Sequence, residues 1–184
     1  MSAFLYLFPC AYEDLVKLGI SRDPLGRVRN FSSRWFEFFD LDRAMLVETD
    51  DWREAQAWET ALKRELRQLN APAPLLVPGQ VGGHTEWFRG GYGDIVARMQ
   101  LLQRQGFILH QPARQWLGAA LARESDRLYD WAQAMWQGIL DSESEVKAAL
   151  ERTLLDALDA HAAMALPVER GVPERVAEWY RAMR

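Results

Sequence analysis

The sequence predicts an α+β domain with a small three-stranded antiparallel sheet flanked by helices, followed by an all-α C-terminal region. Three observations predict it. Two short apolar runs, residues 3–9 and 15–20, flank a polar turn and read as the arms of a hairpin. A third run, residues 43–49, lies between two segments with helical spacing of apolar residues. From residue 113 onward the chain is rich in Ala, Leu, Glu, Asp and Arg, with Trp116, Leu128, Trp131, Met135 and Ile139 at helical intervals.

Each element has a local cause. Ala3–Pro9 is continuously apolar and aromatic, which suits a buried strand. Leu15–Ile20 makes the second arm, and Gly19 within it marks a bulge or a close approach by another group. Asp23-Pro24 opens a helix, because Asp caps and Pro is tolerated at the first helical position. Leu25, Val28, Phe31 and Trp35 give that helix one buried face. Gly26 inside it costs about 1 kcal/mol relative to Ala, and close packing is one reason for it.

Residues 43–49 form the third strand, after which Asp50-Asp51 opens a long helix. At about 100° per residue, Trp52, Ala55, Trp58, Leu62, Leu66 and Leu69 share an arc of roughly 120°. Glu59 projects into that arc and needs a partner, a metal or a proton. Asn70 and the prolines after it stop the helix; a loop with Pro78, Gly79, Gly82 and Gly83 follows. His84–Phe88 reads as a short extended piece, and a helix follows near residues 92–105. Val146, Leu150, Leu154, Leu158 and Ala162 continue the helical theme, and a last helix carries Val176, Trp179, Tyr180 and Met183.

The chain has 184 residues, is 49% hydrophobic and carries eight Trp, which argues for packed cores rather than disorder. Its single Cys10 excludes an internal disulfide and a cysteine-built zinc site. No stretch reaches the length of a membrane span, and the first apolar run is too short and lacks the basic leader of a secretory signal, so a cytoplasmic location is expected. A net charge of −4 does not favour nucleic acid, yet Arg22, Arg27, Arg29 and Arg34 crowd into one segment as a local basic patch. From residue 113 there are nine Lys/Arg against twelve Asp/Glu, which suits a packing or partner surface better than a DNA grip.

The order of strand, strand with Lys17-Leu18-Gly19, helix with arginine, strand, and helix with glutamate resembles the GIY-YIG nuclease superfamily. Phe4-Leu5-Tyr6 looks like its first motif, and Lys17-Leu18-Gly19 like its second, with lysine in place of the name-giving tyrosine. The run Val-Lys-Leu-Gly-Ile-Ser-Arg-Asp-Pro, with Arg27-Val28 and the closing Glu86-Trp87-Phe88, is most similar to a phage and bacterial branch. Ten residues separate Tyr6 from Lys17, Arg27 lies eight after Gly19, and the likeness covers residues 3–105. A domain over residues 1–110 and a helical region over 111–184 follow from this division.

The resemblance implies a metal-dependent endonuclease that hydrolyses DNA phosphodiesters. It implies magnesium or manganese on Glu59, Tyr6 positioning or deprotonating water, Lys17 lowering the phenol's pKa, and Arg27 on the phosphate. Arg22, Arg29 and Arg34 are further phosphate contacts on this reading, and Asn70 and Glu86 additional site residues. Each has a plainer reading: Tyr6 in the core, Lys17 as a charge guarding an edge strand, Glu59 in a buried salt bridge, and Glu86 locking the last strand. His84 beside Glu86 suggests a His-x-Glu metal pair only weakly, and His110 and His161 look unremarkable. The alternative function is a catalytically inactive, nuclease-like module that binds DNA or protein, with the helical region as a docking or oligomerisation tail.

Overall fold

The first hairpin consists of β1 (Ala3–Pro9) and β2 (Leu15–Ser21), with Tyr6 opposite Gly19 and Phe8 opposite Lys17. The structure, a computed structural model, describes residues 2–83 and 85–184. Every residue of β1 is buried, because both faces of the sheet are covered. This is why the run is apolar throughout instead of alternating. Tyr6 and Phe8 stack on one face, where Phe8 also meets Phe39. Leu5 and Leu7 enter the opposite core with Leu18, Leu62, Ile95 and Met99.

Helix α1 (Pro24–Phe31) begins as expected, with the Asp23 side chain accepting from the Gly26 N–H at 2.9 Å. A Cβ on Gly26 would run into that capping carboxylate, which accounts for the glycine. The helix stops before Trp35. Ser32 is extended, its hydroxyl accepts from the Arg34 N–H at 3.1 Å, and Trp35 opens a separate short helix, α2 (Trp35–Phe38). A serine side chain that bonds nearby backbone competes with helix continuation.

Strand β3 (Met45–Thr49) pairs antiparallel with β1. Helix α3 (Trp52–Glu65) is capped by Asp51, and Ala55 and Leu62 face the core. Trp52, expected on that buried stripe, is 37% exposed; it stands at the helix end with the Arg22 guanidinium 5.3 Å from its ring centre. Next come β4 (Asn70–Ala71), β5 (Trp87–Arg89), α4 (Tyr92–Arg104) and β6 (Ile108–His110).

The sheet therefore has six strands among the described residues, in the order β4-β5-β2-β1-β3-β6, not three. The added strands are two or three residues long, too short for a hydrophobic period to register. All pairings are antiparallel. Strand β5 covers β2, so Lys17 is interior and does not guard an edge.

The chain divides into two compact units, Met1–Trp116 and Leu117–Arg184, with α5 (Ala113–Arg123) running across the division. The second unit holds α6 (Leu128–Asp141), α7 (Ser144–Ala163) and α8 (Glu174–Ala182), around a core of Leu128, Ala132, Ile139, Leu154, Leu158 and Val176. Trp131 and Val146, which shared the expected apolar spacing, are exposed. Among the described residues, no helix is long and apolar enough to cross a membrane.

Candidate functional site

Strand β5 pairs with β2 only over Leu15–Lys17. Where it ends, side chains from β1, β2, α1, α3 and the 82–86 segment converge. Tyr6 supplies a phenol from β1. Its ring lies over Gly19, where a Cβ would overlap the hydroxyl, so the glycine is needed for close approach rather than for a bulge. The Arg27 Nε donates to the Tyr6 hydroxyl at 3.1 Å, and the other edge of the guanidinium donates to the Gly82 carbonyl at 2.6 Å.

The Lys17 side chain is fully buried. Its ammonium donates to the Leu18 carbonyl at 2.8 Å and to Glu86 Oε2 at 3.0 Å. The rings of Tyr6, Phe31 and Trp87 stand 5.9, 5.9 and 6.0 Å from it. The other Glu86 oxygen accepts from Lys63 at 2.8 Å and from the Thr85 hydroxyl at 3.1 Å. Glu86 is thus held between two ammonium groups. Asn70 donates to the Thr85 carbonyl at 2.6 Å and to the Trp87 carbonyl at 3.0 Å, fixing the backbone on both sides of Glu86.

The electrostatics follow from this packing. Burial pushes the Tyr6 phenol up to about 12, although the Arg27 charge and hydrogen bond oppose it. Burial pulls the Lys17 ammonium down to about 8, against the restoring effect of Glu86. For Glu86, burial acts upward but is outweighed by Lys63 and Lys17, which hold it at about 2. Lys63 is raised: burial alone would lower it, and Glu86 prevails. Arg27 does act to lower the phenol's pKa, as expected of a nearby cation, but loss of water outweighs it and the pKa is raised.

Glu59 is half-buried on α3. Burial raises its pKa, Lys63 opposes, and it feels the charges of Glu86, Lys17 and Arg27. Among the described residues its carboxylate has no hydrogen bond or ion pair, so the plainer reading, a buried salt bridge, finds no partner among them. Also among the described residues, no group of three His, Cys, Asp or Glu gathers into a metal cluster. A zinc site, which needs three or four protein ligands, does not fit; a hard cation that keeps most of its water fits one carboxylate.

Tyr6, Lys17, Arg27 and Glu86 are brought together directly, and Glu59 joins them through the shared field. Two other arginines make contacts elsewhere in the unit. Arg34 pairs with Glu37 at 2.6 Å and stacks over Phe36, and Arg22 covers Trp52. Arg29 lies half-buried on α1. His84 lies outside the described residues. Lys63 was missed in the sequence; its signal was its position four residues after Glu59 on the same helix.

No curated protein and no solved structure matches the chain. The T5orf172 domain model matches residues 3–103, the span that carries β1 to α4 and every residue of this cluster. The chain therefore belongs to the T5orf172 domain family, a nuclease-like domain found in phage proteins.

Proposed function

We propose that the protein is a metal-dependent endonuclease of GIY-YIG type, cutting DNA phosphodiester bonds at the Tyr6–Lys17–Arg27–Glu59 cluster. The observation that carries this reading is the Glu59 carboxylate, half-buried beside a set of cations and, among the described residues, with no hydrogen bond or ion pair. Such a group is costly to desolvate unless it binds something positive. Magnesium or manganese fits there, with water and phosphate oxygens completing its shell. When bound, such a cation polarises a phosphoryl oxygen and offsets charge on the leaving oxygen.

The remaining work falls to side chains. Arg27 binds the phosphate, exchanging the Gly82 carbonyl for a phosphate oxygen. Lys17 and Lys63 supply positive potential, moderated by Glu86. Tyr6 stays protonated at neutral pH, so it orients an attacking water by hydrogen bonding and does not remove its proton. Its hydroxyl oxygen accepts from Arg27, which leaves its own hydrogen to donate. Arg29 on α1, with Arg22 before that helix and Arg34 after it, adds phosphate contact, and Asn70 positions Glu86.

Nicking of supercoiled plasmid by the full chain with magnesium or manganese tests the proposal. Glu59→Ala is expected to remove nicking while thermal unfolding stays cooperative; undiminished nicking would overturn the assignment. Arg27→Ala is expected to lower the rate by about 10²–10³-fold, as for other lost charge-stabilising donors. A second reading is a nuclease-like module that binds without cutting. It draws on the closed Lys17–Glu86 pair, which has the character of a structural ion pair. Retained DNA binding with no nicking in either metal would favour it.

A further inference from the structure

The outward side of α3 has a composition that the site does not use. Arg53, Gln56, Ala57, Thr60, Ala61 and Arg64 line a shallow open groove of about 500 Å³ along it. On a helical wheel these residues lie together, next to the strip carrying Glu59 and Lys63 and away from the core strip of Ala55 and Leu62. Glu54 and Glu65, which border this face on the side away from Glu59, are engaged elsewhere. Glu65 is turned to Arg98, pairing at 2.9 Å, and Glu54 reaches back to the Asp50 N–H at 3.0 Å. Among the described residues neither Arg53 nor Arg64 forms a salt bridge.

We propose that this face of α3 is a track for the sugar–phosphate backbone of DNA, carrying a strand along the helix beside Glu59. Arg53 and Arg64 are eleven positions apart, about 16 Å along the axis, so they reach two separate phosphates. Gln56 and Thr60 between them offer hydrogen bonds to phosphate oxygens. Ala57 and Ala61 keep the surface low, so a polymer backbone lies close. A protein partner fits less well, because the face has no aromatic or large aliphatic anchor of the kind that dominates protein interfaces. The track rests on the nuclease reading and extends it by naming where the substrate lies away from the cut bond.

The test is binding of a labelled DNA duplex by the full chain in chelator, without cleavage, from 50 to 200 mM salt. Each lost phosphate contact reduces the slope of log K against log salt by about 0.9. Arg53→Ala with Arg64→Ala should therefore reduce it by about 1.8, so the variant's affinity falls about 12-fold less than wild type over that range. Arg53→Lys with Arg64→Lys should keep the wild-type slope, which a purely structural role of the arginines would not predict. A control pair in the helical unit, Arg170→Ala with Arg175→Ala, should leave the slope unchanged. An unaltered slope in the alanine pair, or an equal drop in the control, overturns the track while leaving the nuclease reading intact. Failure of wild type to bind or nick DNA overturns both.

Discussion

An ammonium without solvent exposure needs partners on every side, and Lys17 has them in one carboxylate, two carbonyls and three aromatic rings. Burial and the surrounding charges give this pair two pH dependences of the same sign, in separate windows. The Glu86 carboxyl is held at about 2, below its ordinary 4.5. Its stabilisation is complete above pH 4.5 and is lost as pH falls toward 2. The Lys17 ammonium is lowered from 10.5 to about 8, so keeping it charged costs stability below pH 8, and the cost fades as pH rises from 8 to 10.5. Urea midpoints between pH 2 and 6 are therefore expected to fall steeply for wild type and less steeply for Glu86→Gln. An equal slope in both would show that Glu86 is not the group responsible. Gly19 is the other residue with a sharp requirement. Gly19→Ala is expected to cost about 1–3 kcal/mol and to displace the phenol, because the new methyl overlaps the Tyr6 ring; urea unfolding and plasmid nicking together report both effects.

Among the elements, the segment before β5 does more than connect. The Gly82 carbonyl holds Arg27, and Gly83 has φ of +90°, which only glycine adopts without strain. A Cβ there would stand 2.6 Å from Glu86 Oε2, 2.9 Å from the Arg27 guanidinium and 3.0 Å from the Lys17 ammonium. Gly83→Ala is therefore expected to lower stability by about 1–2 kcal/mol and to reduce nicking, since relief of the clash must move the loop or the charges it lies on. A variant with wild-type melting temperature and rate would show that this segment does not pack on the cluster. At the other side of the site, α1 depends on its cap for the placement of Arg27. The Asp23 cap contributes about 1 kcal/mol, close to the cost of the glycine that accommodates it.

At the scale of the molecule, the two units have separate cores, one between the sheet and helices α3 and α4 and one within α6 to α8. Leu154, fully buried in the second, tests that separation. Leu154→Ala is expected to cost about 2–5 kcal/mol. Hydrogen exchange should show the loss in α6–α8, with protection in β1 and β2 unchanged. Equal loss of protection in both units would mean that they unfold as one.

The lesson about legibility lies in which contacts are local. Residue order by itself determined the β1–β2 hairpin, the Asp23 and Asp51 caps, the course of α3 and the helical character of the second unit, because caps, periodicity and turn chemistry act within a few positions. The resemblance to a nuclease superfamily, rather than periodicity, is what proposed Tyr6, Lys17, Arg27 and Glu59 as a set. Only the tertiary structure decided that Lys17 is interior, that Glu86 is its counter-ion from 69 residues away, and that Lys63 completes the group. The same holds for the three short strands that widen the sheet, and for the lack of any partner on Glu59 among the described residues. Those outcomes depend on burial and on charges drawn together across the sheet. Desolvation and long-range pairing leave no periodic trace along a chain.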